Sequence, residues 1–138
     1  MKTLIRTLVV LAGAVALVVP ATAASAASRG RHCDGVQAYR CAWFNYDPDH
    51  NFLRGYGSVK DTTDGADTVA AIVYLQVNTT NGWINVASSS RLEGTDSITV
   101  STGLATCVAG RTYRSRVNWN WNNGAGTGTI YSGDVVPC

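Results

Sequence analysis

Between Tyr113 and Trp121 the chain alternates strictly. Tyr113, Ser115, Val117, Trp119 and Trp121 fall on one side, and Arg114, Arg116, Asn118 and Asn120 on the other. A period of two, with aromatic and β-branched residues on one side and charged or amide groups opposite, is a half-buried β-strand. It is the longest such run in the chain, preceded by Cys107 and the turn pair Ala109-Gly110. The expectation is a central strand of a small antiparallel β-sandwich.

The rest of the chain fits that frame. Tyr39–Tyr46 is aromatic-rich and reads as the first strand, followed by a turn at Asp47-Pro48-Asp49-His50-Asn51. Phe52–Lys60 resumes strand character, with Gly55 and Gly57 pointing to a bulge or a close backbone approach. Val69–Val77 is nearly continuous in apolar, β-branched residues and reads as a buried strand. Asn81-Gly82 then signals a hairpin into Trp83–Ala87. Ser88-Ser89-Ser90 and Glu93-Gly94 bracket a loop before the short strand Ser97–Ser101. After the central run, Asn122–Gly128 reads as a Gly-rich hairpin loop, and Thr129–Val136 returns to Cys138. About seven strands with turns between them, and no helical pattern outside the N-terminus, define an all-β sandwich.

Residues 1–26 read as a cleaved signal peptide. Lys2 and Arg6 form a basic start, Leu8–Val19 is an apolar core, and Ala24-Ser25-Ala26 fits a small-x-small cleavage site. The apolar run falls short of the roughly 20 residues that span a bilayer, so no membrane association is expected after cleavage. The sandwich domain is then 27–138, beginning at Ala27, and the protein is expected to be secreted, extracellular and monomeric. Loss of Lys2 and Arg6 takes the 11 basic residues down to match the 9 acidic ones. That balance gives no support to a surface for tracking nucleic acid or anionic lipid, and no nucleic-acid partner is expected. Cys33, Cys41, Cys107 and Cys138 are an even set in a small exported chain and read as two disulfides. Zinc spacing of the C-x-x-C kind is absent. Three connectivities are possible, and spacing does not choose among them.

Leu104, followed by Ala109-Gly110-Arg111-Thr112-Tyr113-Arg114-Ser115-Arg116-Val117, resembles the fibronectin type III pattern of a leucine, a Gly-containing corner, then Tyr and alternating residues ending in Val. The resemblance covers roughly residues 98–132. It implies an immunoglobulin-like sandwich in which the Tyr113 hydroxyl bonds the backbone a few residues upstream. It also implies that the corner holding Cys107 and the end of the last strand share a pole, which favours Cys107–Cys138 together with Cys33–Cys41. The four cysteines and the aromatic first strand depart from the family, so its adhesion roles do not carry over. The signal segment and the Arg/Ala/Gly-rich style resemble small exported actinobacterial proteins.

Candidate chemistry is sparse. His50 beside Asp47 and Asp49 is the one arrangement open to general-base chemistry, weighed against a solvated turn histidine. Asp47-x-Asp49-x-Asn51 has half of a calcium-loop spacing, but Phe52 stands where Gly is needed and Ser58 where the bidentate Glu belongs. The acidic turn Asp61, Asp64, Asp67 reads as turn chemistry. Asp47 with Asp49, or Asp61 with Asp64, are carboxylate pairs open to a glycosidase reading. No metal and no cofactor is expected. Trp121, beside Asn120 and Asn122 at a strand end, suits stacking on a sugar ring with amide hydrogen bonds, weighed against a plain strand end. Arg114 and Arg116 read as a solvated stripe. The expectation is a non-enzymatic binding module for an extracellular glycan, protein or secreted enzyme. A small hydrolase using His50 with Asp47 or Asp49, and a cell-surface structural protein, are the alternatives.

Overall fold

The computed structural model describes residues 27–138, and the signal-peptide expectation for residues 1–26 lies outside them. Ten strands form two antiparallel sheets packed face to face. They are β1 (Ala27–Asp34), β2 (Ala38–Asp47), β3 (Phe52–Asp61), β4 (Thr68–Thr79), β5 (Gly82–Ser88), β6 (Leu92–Thr95), β7 (Ser97–Ser101), β8 (Ala105–Thr106), β9 (Tyr113–Trp121) and β10 (Gly126–Tyr131). The first sheet runs β1-β2-β3-β7, with β8 also on β3; the second runs β10-β9-β4-β5, with β6 also on β4.

Two of these divisions are interruptions of a single edge. Thr102 separates β7 from β8, yet its backbone N–H donates to Gly55 O and its Oγ1 accepts from Gly55 N–H. Ser89 holds the gap between β5 and β6 in the same way, bonding Val73 through backbone and hydroxyl. With these joined, seven strands follow the β1–β2 turn, the number expected from sequence, and all but the last lie where expected. Three segments differ from expectation. Residues 27–34, which precede the expected first strand, form β1. Residues 92–95, expected as loop, form β6. Residues 126–128, expected within the Gly-rich loop, open β10, which ends at Tyr131 rather than continuing towards Val136. The β4–β5 hairpin turns over Thr80 and Asn81, with Gly82 already paired to Thr79 at φ 92°.

The core follows from the pleat. Ala42, Phe44, Leu53 and Val59 of the first sheet meet Val69, Val73, Leu75, Tyr113 and Val117 of the second, all essentially inaccessible to water. Gly55 and Gly57 face the second sheet, and they mark a close approach rather than a bulge. A Cβ on Gly57 would lie 2.5 Å from a Val117 methyl. Ser115, also fully buried, donates its hydroxyl to Tyr56 O across the interface at 3.0 Å. The Tyr113 hydroxyl accepts the Val108 N–H at 2.9 Å, five residues upstream, as the corner requires. Both expected disulfides are present, Cys33–Cys41 and Cys107–Cys138.

Candidate functional site

Trp119 and Trp121 lie on the inner side of β9 but are only half-buried, because the residues opposite them on β10 are Gly128 and Gly126. Each ring lies over its glycine: a Cβ on Gly128 would sit 3.0 Å from Trp119, and one on Gly126 3.2 Å from Trp121. The rings end at a cleft of about 430 Å³ between the β1–β2 turn and the β9–β10 turn, with Val36, Gln37, Arg40 and Ala125 also on its walls. That volume is within the range of small-ligand sites.

Two carboxylates fix the cleft's polar groups. Arg40 alternates inward between Ala38 and Ala42, and its guanidinium stands 4.3 Å from the Trp119 ring centroid. Asp34 holds it there through Nε at 2.8 Å and Nη2 at 2.7 Å. The Trp121 indole N–H donates to Asp61 Oδ1 at 3.1 Å. Asp61 is itself buried, at 3% exposure. It also accepts the backbone N–H groups of Thr63 and Asp67 at 3.0 Å and the Thr63 hydroxyl at 2.7 Å. These donors, led by the Thr63 and Asp67 N–H groups, hold its carboxyl down at about 2, against an ordinary 3.8. The expected turn chemistry of the 61–67 loop thus extends to the indole of Trp121, sixty residues away.

Of the site residues expected from sequence, only Trp121 lines the cleft. Asn120 points to the opposite face of the sheet, as the pleat demands. Asn122 is exposed in the turn with φ 49°. The polar groups that accompany the indole come from Arg40, Gln37 and Asp61, on strands and turns distant in sequence. Arg114 and Arg116, read as a solvated stripe, are packed on rings. Arg114 lies 4.0 Å from the Trp83 ring centroid and 4.3 Å from that of Tyr131, with Nε bonded to Gln76 Oε1 at 3.0 Å. Arg116 lies 5.5 Å from Tyr74.

His50 and Asp47 do meet, Nδ1 to Oδ2 at 2.8 Å, on the exposed β2–β3 turn. Their hydrogen bond lowers the Asp47 carboxyl and raises the His50 imidazole. The other Asp47 oxygen accepts the N–H groups of Asp49 and His50 at 3.0 and 3.4 Å, so this carboxylate also organises the turn. Among the described residues no three His, Cys, Asp or Glu side chains gather in a metal-binding group. Compared with protein-family models, with curated proteins and with solved structures, the chain matches none.

Proposed function

We propose that the protein is a secreted, extracellular binding module of immunoglobulin-like build, with no catalytic role, that takes a sugar ring of a glycan into the cleft beside Trp121. The observation that carries this reading is the indole lining a cleft of about 430 Å³ beside a guanidinium. An indole offers an apolar face to the C–H side of a pyranose, while Arg40 and Gln37 supply hydrogen-bond donors to its hydroxyls. Asp61 and Asp34 hold Trp121 and Arg40 in place before the ligand arrives, which lowers the ordering penalty of binding. Two disulfides suit an oxidising, extracellular setting. The Tyr113 corner supports the immunoglobulin-like placement.

The test is a glycan-array screen on the oxidised protein, with each hit titrated by tryptophan fluorescence. Trp121→Ala is expected to weaken binding by about tenfold or more while leaving the circular dichroism spectrum unchanged. Unaltered affinity in that variant would overturn the reading. The contact between His50 and Asp47 favours one other reading, a hydrolase, and His50→Ala separates the two: it silences a hydrolytic activity but leaves cleft binding intact.

A further inference from the structure

The outer face of the first sheet carries a second recess, unrelated to the cleft and about 230 Å³ in volume. Asn45 and Arg54, directly paired across β2 and β3, form its polar wall. Phe52, Tyr56 and Leu104 form its apolar wall. Leu104 comes from the break between β7 and β8 and is 55% exposed, a large apolar side chain left to solvent. The recess exists because the edge strand is interrupted there.

Its polar wall is unsatisfied. Arg54 Nε and Asn45 Oδ1 are both inaccessible to water, and neither has a hydrogen-bond partner. Buried donors and acceptors are rarely left that way. A guanidinium is permanently charged and presents Nε–H and an Nη–H as a fork that matches a carboxylate. Arg54 has no carboxylate within ion-pairing distance among the described residues. Asp47, the one acidic residue on the wall, is turned to His50 and to the N–H groups of its own turn. Rotating the Asn45 amide by half a turn exchanges the orphaned acceptor for a donor. The cross-strand pairing then sets two donor-bearing side chains next to one another, beside an apolar wall. One further cation lies nearby on this face: Arg31 stacks on Trp43 at 4.9 Å, and Trp43 in turn stacks on Tyr56 of the recess wall.

We infer that this recess binds a carboxylate carried beside an apolar side chain, as at the C-terminus of a peptide ending in an aliphatic residue. Arg54 and Asn45 take the carboxylate, and Phe52 and Leu104 take the side chain. The volume is below the roughly 300 Å³ of a drug-sized site and admits one residue of that size. This inference stands apart from the glycan reading, since no residue is shared between the two sites.

N-acetyl-leucine is the probe, with N-acetyl-leucinamide and glucuronate as comparators, titrated by calorimetry or by chemical-shift change. Binding of N-acetyl-leucine at about 1 mM is expected for so small a ligand, with the amide weaker by about tenfold or more. Arg54→Met should abolish it. Leu104→Ser, at an exposed position that the fold does not use, should weaken it severalfold, and Trp121→Ala should leave it unchanged. Equal binding of acid and amide would overturn the inference, as would preference for glucuronate, undiminished binding in Leu104→Ser, or no saturation up to the solubility limit.

Discussion

At the scale of single residues, Asp61 shows how one carboxylate can serve both loop and cleft. Its four donors all favour the ionised form, and burial opposes them without prevailing. A carboxyl held at about 2 when folded and near 3.8 when unfolded stabilises the fold only while it is ionised. That contribution is complete above pH of about 4 and declines as the pH falls towards about 2. Asp61→Asn keeps an oxygen for the indole N–H but loses the charge. We expect this variant to be less stable at neutral pH and to lose less stability than the wild type between those two values. Urea titrations across acid pH, followed by tryptophan fluorescence, measure the difference. Parallel curves would show that the charge on Asp61 contributes nothing to folding. Asp47, whose carboxyl is also lowered, sits on an exposed turn and is common to both proteins, so it leaves the comparison intact.

At the scale of elements, the sheets approach as closely as they do because β3 presents glycine at two inward positions. A Cβ on Gly57 would meet Val117 methyls at 2.5 and 2.8 Å and a Val73 methyl at 3.0 Å. At Gly55 the nearest contacts are 3.2–3.3 Å, which small shifts absorb. Gly57→Ala is therefore expected to destabilise by about 1–3 kcal/mol through overpacking. Gly55→Ala should be close to neutral, because the backbone entropy gained, about 0.5–1 kcal/mol, offsets the crowding. Adding Val117→Ala to Gly57→Ala should recover part of the loss, in contrast to the additivity expected of independent sites. Guanidinium denaturation of the wild type, Gly55→Ala, Gly57→Ala, Val117→Ala and the double variant decides it, and a fully additive pair would refute the contact. Such elements are legible in sequence where alternation is long or glycine is conspicuous, as in β3, β4 and β9. Segment β1 was not legible, because Ala27–Asp34 carries no alternation and is exposed along most of its length. It is a strand only because β2 offers an edge and Cys41 a covalent partner. Nor was β6, whose Glu93-Gly94 has turn composition; Gly94 is needed there because a Cβ would lie 2.7 Å from Ile98. The cleft was half legible: Trp121 stood out by type and position, whereas Arg40 and Asp61 reach it from other strands. The same holds for Arg114, whose partner rings lie on β5 and β10.

At the scale of the whole molecule, the two disulfides act on different layers of stability. Chain-entropy arguments assign about 2.6 kcal/mol to the short Cys33–Cys41 ring and about 3.7 kcal/mol to Cys107–Cys138. The structure widens that gap. Cys33–Cys41 ties β1, an exposed edge with a register shift between Arg29 and His32, to β2. Cys107 is buried and belongs to the core cluster with Phe44, Leu53, Leu75 and Tyr113, against which Val135 and Cys138 pack. The segment leading to Cys138 also closes the side of the sandwich between the sheets. Gly133 N–H donates to Gly30 O on β1 at 2.7 Å, and Val135 pairs with Tyr113. Replacing Cys107 and Cys138 by Ser should therefore cost about 3–4 kcal/mol in a single cooperative transition, the lost cross-link compounded by loosened packing at Tyr113. Replacing Cys33 and Cys41 should cost no more than about 2.6 kcal/mol, because β1 detaches locally and the core does not depend on it. Amide exchange separates the cases. In the second variant protection falls in residues 27–34 and persists in β4 and β9, whereas in the first it falls throughout. A larger loss from the short bridge, or global loss of protection on removing it, would mean that β1 is integral to the sandwich rather than stapled to its edge.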